Sequence, residues 1–127
     1  MQLTEKDKAI LNNLGIQALI LCGSRAQNLA GKDSDYDFLV LGKKSAEIYD
    51  ALYDILSEKI NSLTDMDIVF EVNAPLEFKQ HVCRYGKILF EKHPNIFADF
   101  RQKTMLELSD FSYYRSIFSN ATLSRIK

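Results

Sequence analysis

The chain has 127 residues, with 16 Lys and Arg against 17 Asp and Glu. A formal net charge of −1 gives it no global pull toward nucleic acid or a membrane surface. That length suits one domain, taken as residues 1–127, able to bury about two-thirds of its unfolded surface.

No apolar stretch reaches bilayer length, and the opening residues Gln2 to Lys8 are polar and charged, unlike a signal peptide. Cys22 and Cys83 have no CxxC partner and no histidine at zinc spacing, so both are expected as buried free thiols. These features point to an intracellular, cytoplasmic protein, in which the Asn120-Ala121-Thr122 sequon carries no meaning.

In chain order, residues 4–14 predict a first helix, capped by Thr4 and stopped by Gly15. The apolar run Ile16 to Leu21 predicts a buried strand ending at the turn Gly23-Ser24. Glycine there permits close approach of backbone to a ligand, and a short helix over 24–30 would offer its free N–H groups to a phosphate. Gly31 to Ser34 reads as a loop and not as a Walker A loop, because Lys32 is followed by Asp33.

Asp35 to Leu41 predicts a second strand with Tyr36, Phe38 and Val40 on one face. Asp35 and Asp37 share the other, their Cα atoms roughly 7 Å apart, so both carboxylates can converge on one hard cation. Ser45 is the expected cap of a core helix reaching Leu63, with Ile48, Leu52, Ile55, Leu56 and Ile60 along its stripe. A third strand is expected from Asp65 to Val72, with Met66, Ile68, Phe70 and Val72 on one face and Asp65, Asp67 and Glu71 on the other.

Pro75 and Gly86 bracket another helix, and Tyr85 to Glu91 gives a last strand, expected at the sheet edge with Lys87 blunting it. His81 and His93 have no ligand-spaced partner and read as surface or cap residues. From Pro94 a helical tail runs through Phe97, Phe100, Thr104, Leu108 and Phe111 into Tyr113, Tyr114, Ile117 and Phe118. Such a stripe is usually core, yet a small one-sheet domain has limited room for so many rings, and the excess reads as a partner surface over the helical tail 94–127.

Gly23-Ser24, ten intervening residues and then Asp35-Tyr36-Asp37 resemble the signature of the DNA polymerase β superfamily, and specifically of its minimal nucleotidyltransferases. The closing run Gly86-Lys87-Ile88-Leu89-Phe90-Glu91 is similar to theirs too. The resemblance implies an α+β nucleotidyltransferase fold, a mixed sheet of about four strands flanked by helices, with the aspartate side open and helices over Phe38, Ile68 and Phe70. It also implies a third acid from a neighbouring strand. Asp67-Ile68-Val69 mirrors Asp37-Phe38-Leu39, so Asp67 is preferred over Asp65 and Glu71.

On that resemblance Asp35, Asp37 and Asp67 form the catalytic set and hold one or two Mg²⁺ ions. Asp67 stands beside the acceptor hydroxyl as general base, and Gly23 with Ser24 holds the β and γ phosphates of ATP. Arg25 either adds charge there or is a structural surface arginine. Members of the family serve as antitoxins that transfer AMP to a tyrosine of a HEPN-type ribonuclease toxin. This implies a hetero-oligomer with such a partner and no direct contact with nucleic acid. The tail departs from the family: Glu107-Leu108-Ser109-Asp110-Phe111 stands where a Tyr-Leu-Asp run is common. Three other functions remain in view: transfer to a small hydroxyl compound, an antitoxin that only masks its toxin, and a polymerase fragment. The chain is short for the first, its acids are superfluous to the second, and the third lacks a basic patch.

Overall fold

The computed structural model describes residues 2–23, 36–60 and 65–110. In order they form α1 (Glu5–Asn13), β1 (Ala18–Cys22), β2 (Tyr36–Leu41), α2 (Ala46–Ser57) and β3 (Met66–Phe70). A 3₁₀ turn (Glu71–Asn73), α3 (Leu76–Tyr85), β4 (Lys87–Glu91) and a helix α4 over residues 96–110 follow. The strands make one sheet in the order β3-β2-β1-β4. β1 runs antiparallel to β2 and β4, while β2 and β3 are parallel, so the sheet is mixed and the fold α+β, as the sequence leads one to expect. β4 does stand at an edge, with Lys87 exposed. No helix among the described residues is long and apolar enough to cross a membrane.

Local chemistry explains where the helices begin. The Thr4 hydroxyl accepts from the Asp7 N–H at 3.1 Å and the Asp7 carboxylate accepts from the Thr4 N–H at 3.0 Å, a capping box that satisfies two donors at once. At the other end Gly15 turns the chain out of α1 with φ 81°, a region that costs glycine nothing. The Ser45 hydroxyl caps α2 by accepting from the Ile48 N–H at 3.5 Å.

Other boundaries differ from expectation. α2 stops at Ser57 and not at Leu63, which lies outside the described residues. There the Lys59 N–H bonds back to the Leu56 carbonyl at 3.0 Å, and its ammonium sits 2.7 Å from the Asp7 carboxylate. A tertiary ion pair thus takes over where helical periodicity alone would run on. β3 ends at Phe70, because Glu71–Asn73 coil into a 3₁₀ turn that leaves Val72 73% exposed. Val72 therefore does not share the inner face of β3.

Gly86 ends α3 as predicted, but with an ordinary φ of −63°. Its necessity is steric: a Cβ there would lie 2.5 Å from the Val82 carbonyl oxygen and 2.8 Å from Ile20 Cγ2. α3 comes down on β1 so closely that only hydrogen fits between them.

The sheet has a core on each side. α1 and α2 cover the face formed by Leu19, Leu21, Phe38, Val40, Ile68 and Phe70, as expected. The other face is not simply open: Ala18, Ile20, Cys22, Leu39 and Leu41 pack beneath Val82 and Cys83 of α3 and Phe97 and Phe100 of α4. α4 is anchored at its start by the Glu91 carboxylate, which accepts from the Phe97 N–H at 2.8 Å. Two further pairs hold it down, Lys79 to Glu107 at 3.3 Å and Lys103 to Glu71 at 3.8 Å. Phe97, Phe100 and Thr104 are buried as their spacing predicts, whereas Phe111, Tyr113, Tyr114, Ile117 and Phe118 lie outside the described residues.

Candidate active site

On the second face the apolar packing gives way, at one end of the sheet, to acids. β1 and β2 pair so that Cys22 opposes Asp37, and β2 and β3 pair so that Asp37 opposes Asp67. Directly opposed residues point to the same side, so Cys22, Asp37 and Asp67 make a row across three strands about 4.8 Å apart. Asp37 is half-buried and Asp67 exposed, a gradient from floor to rim. The other two acids of the third strand are elsewhere. Asp65 precedes β3 and uses its carbonyl to accept the Tyr36 N–H at 2.9 Å, while Glu71 lies past the far end and pairs with Lys103. The register, more than the alternation, singles out Asp67.

Gly23 closes the row. It follows β1 with φ 70°, and a Cβ on it would stand 3.0 Å from Asp37 Oδ2. Backbone and carboxylate thus meet in a space that any side chain would fill, which is the close approach that a phosphate–carboxylate–cation site requires. Ser24, Arg25 and Asp35, the remaining residues singled out by the sequence, lie outside the described residues.

Among the described residues no group of three His, Cys, Asp or Glu could hold a metal ion. Asp37 and Asp67 face the same side of neighbouring strands beside the Gly23 backbone, and their carboxylate oxygens are the hard donors that suit Mg²⁺. Two like charges directly opposite each other repel, and an intervening cation is the ordinary remedy.

Neither cysteine adds chemistry. Burial, with a smaller push from the Asp37 charge and against the hydrogen bond of the Leu39 backbone, raises the Cys22 thiol to about 12. Its S–H points at the Ile20 carbonyl, 3.4 Å away. Burial raises the Cys83 thiol as well, against the smaller pull of the Thr104 hydroxyl bonded to it. Both are neutral core residues, as the sequence suggests, and Cys22 forms an apolar floor beside Asp37. The part of Glu91 was missed at the level of sequence. A glutamate ending an edge strand looks solvated, and only the approach of residue 97 reveals it as the cap of α4. His81 is half-buried with its ring 5.0 Å from that of Tyr85, a surface residue of α3 in keeping with its reading from sequence.

Residues 5–95 match the family model described as polymerase beta nucleotidyltransferase, and the chain belongs to that family. No curated protein matches it.

Among solved structures, similarity extends over whole chains. One is a toxin–antitoxin with AMP-PNP, with a TM-score of 0.69, 22% identity, and 94% of this chain and 99% of that one covered. Another is an MntA–HpeT toxin–antitoxin carrying two aspartate-to-glutamate substitutions two positions apart, with a TM-score of 0.68, 21% identity, and 95% and 99% covered. A third is a tri-AMPylated HEPN toxin of Shewanella oneidensis in complex with an MNT antitoxin, with a TM-score of 0.60, 21% identity, and 86% and 84% covered.

Proposed function

We propose that this chain is a cytoplasmic, Mg²⁺-dependent nucleotidyltransferase that moves AMP from ATP to a hydroxyl of a HEPN-type toxin and so acts as its antitoxin. The observation that carries the reading is the register Cys22–Asp37–Asp67 with Gly23 against the Asp37 carboxylate. A protein that masks a toxin only by binding has no need of two opposed carboxylates beside a glycine turn. Similarity to structures that include AMP-PNP and an AMPylated HEPN toxin supports both the nucleotide and the acceptor class.

In this mechanism Asp37 and Asp67, with Asp35, would hold Mg²⁺, which would supply charge neutralisation of the phosphate oxygens and of the departing pyrophosphate. The Gly23 backbone and Ser24 orient the triphosphate. Asp67, at the exposed rim, takes the proton of the acceptor hydroxyl as its oxygen bonds to the α-phosphorus. The bond between the α-phosphorus and the bridging oxygen breaks, and pyrophosphate leaves. Cys22 and the core behind it keep water from the Asp37 side of the row. Arg25 adds positive charge near the phosphates, and Tyr113, Tyr114 and Phe118 of the tail supply docking surface for the toxin.

Mass spectrometry of the toxin after incubation with ATP and Mg²⁺ tests the reading, with an expected gain of roughly 329 Da per transferred AMP. Asp67→Asn should abolish the gain while complex formation survives. A toxin of unchanged mass whose ribonuclease activity is nonetheless blocked would establish masking and sink the enzyme reading.

A further inference from the structure

The two edges of the sheet are unlike. β4 carries a register shift against β1 between Leu19 and Ile20 and an exposed lysine, Lys87, two devices that keep another strand from adding to an edge. β3, at the other edge, pairs with β2 without a shift from Met66 to Phe70, and no strand of the described residues lies beyond it. The Tyr36 N–H bonds to the Asp65 carbonyl at 2.9 Å, so in this parallel pair Asp67 and Val69 turn their backbone groups toward β2. Met66, Ile68 and Phe70 therefore direct theirs outward, a template for an added strand.

A groove of about 430 Å³ lies between that strand and α2, with Ile68 and Phe70 on one wall and Ala46 and Tyr49 on the other. Tyr49 is 38% exposed and stacks with the 46%-exposed Tyr53 at 6.3 Å, so α2 presents an aromatic ledge on this flank. The row of acids leads to the same edge. Asp37 on β2 is half-buried and Asp67 on β3 exposed, and the next place in the row, about 4.8 Å further on, belongs to whatever strand adds to β3. A residue there points to the same side as Asp67, and its immediate neighbour points to the opposite side, into the groove beside Tyr49. Asp50 in the groove and the exposed Asp65 and Asp67 make this edge acidic, which suits a segment that carries a basic residue.

We propose that β3 receives an extended segment of the acceptor protein as an added strand, with a hydroxyl residue opposite Asp67, an apolar residue beside it in the groove against Tyr49, and a basic residue toward Asp50. Donor and acceptor then reach the row from opposite sides, the nucleotide at Gly23 and the hydroxyl at the β3 edge. The hydroxyl oxygen bonds to the α-phosphorus, its proton passes to Asp67 and pyrophosphate leaves. The inference rests on the nucleotidyltransferase reading and adds to it how the acceptor is recognised, with Tyr49 as a positioning residue.

The probe is a synthetic peptide of about ten residues spanning the toxin residue that gains AMP, offered to the full chain with ATP and Mg²⁺ and read by mass spectrometry. Wild type should modify it. Two versions N-methylated on alternate residues separate strand pairing from side-chain recognition: one set blocks the donors that face β3 and should abolish transfer, while the other faces away and should be tolerated. Tyr49→Ala should raise KM for the peptide about tenfold, the scale of a lost aromatic anchor, with kcat and ATP binding unchanged, and Tyr49→Phe should keep the wild-type KM. Equal effects of the two N-methylated versions overturn the proposal, as does a peptide left unmodified beside a toxin that is modified, which marks recognition of a folded surface. An unchanged KM in Tyr49→Ala, or a loss shared equally with ATP binding, overturns it too. A folded toxin that gains no AMP defeats the nucleotidyltransferase reading itself and this inference with it.

Discussion

The two faces of the sheet are built from the same strands yet differ in kind. Under α1 and α2 the face is apolar from end to end, with Leu19, Phe38 and Val40 essentially inaccessible to water. Its opposite shares strand residues at alternate positions and changes character halfway. Leu39 and Ile20 lie beneath α3 and α4, whereas Asp37 and Asp67 stand at the other end. A period-2 strand gives each face its own composition, so a small domain can keep one side wholly for stability and divide the other between packing and chemistry.

The sharpest way to break that division is to cut the same strand one residue apart. Phe38→Ala, on the closed face, should cost about 3–5 kcal/mol and leave little folded protein, because a buried ring leaves a cavity its neighbours cannot fill. Asp37→Asn should change stability by less than about 1 kcal/mol, since it also relieves repulsion with Asp67, yet abolish Mg²⁺-dependent ATP binding. Urea melts and calorimetry on the two variants read both outcomes. Equal destabilisation by the two would show that the faces are not separate in function.

A smaller effect separates the two glycines of the divided face. Gly86→Ala drives a methyl into the Val82 carbonyl and Ile20, and should destabilise by about 1–3 kcal/mol with nucleotide binding kept in the folded fraction. Gly23→Ala should cost about 1–2 kcal/mol for its left-handed backbone and, in addition, crowd the Asp37 carboxylate. Its signature is therefore lost ATP binding in a protein that still unfolds cooperatively. Thermal denaturation paired with ATP titration tells the cases apart, and Gly23→Ala protein with wild-type affinity would refute the close-approach argument.

The smallest effect concerns the closed face alone. Lys59 holds the Asp7 carboxyl at about 2, below its ordinary value of 3.8, helped by the Thr4 N–H. A depressed folded value means stabilisation that is complete above about 3.8 and fades as pH falls toward 2. The stability gap between wild type and Asp7→Asn should therefore close across that window, as followed by urea melts at successive pH values. A gap that is flat with pH would show that the ion pair at 2.7 Å contributes nothing.

Much of this molecule was legible in its residues. Thr4 and Asp7 three apart announce a helix start, Ser45 another, and alternation from Tyr36 to Leu41 sorts Phe38 and Val40 from Asp37. These features depend on neighbours within one turn or one strand, where chain geometry leaves few options. The acid spacing also marked the end of the sheet at which Asp37 and Asp67 stand. Tertiary structure alone decided the rest, because each such feature needs two segments distant in sequence. Parallel register set Asp67 and not Asp65 opposite Asp37, and the packing of α3 on Ile20 gave Gly86 its reason. Lys59 left the helical path for Asp7, and Glu91 became the cap of α4 when the chain doubled back at Asn95. Periodicity states which side of an element is apolar, but only contact between elements states what that side meets and where the element stops.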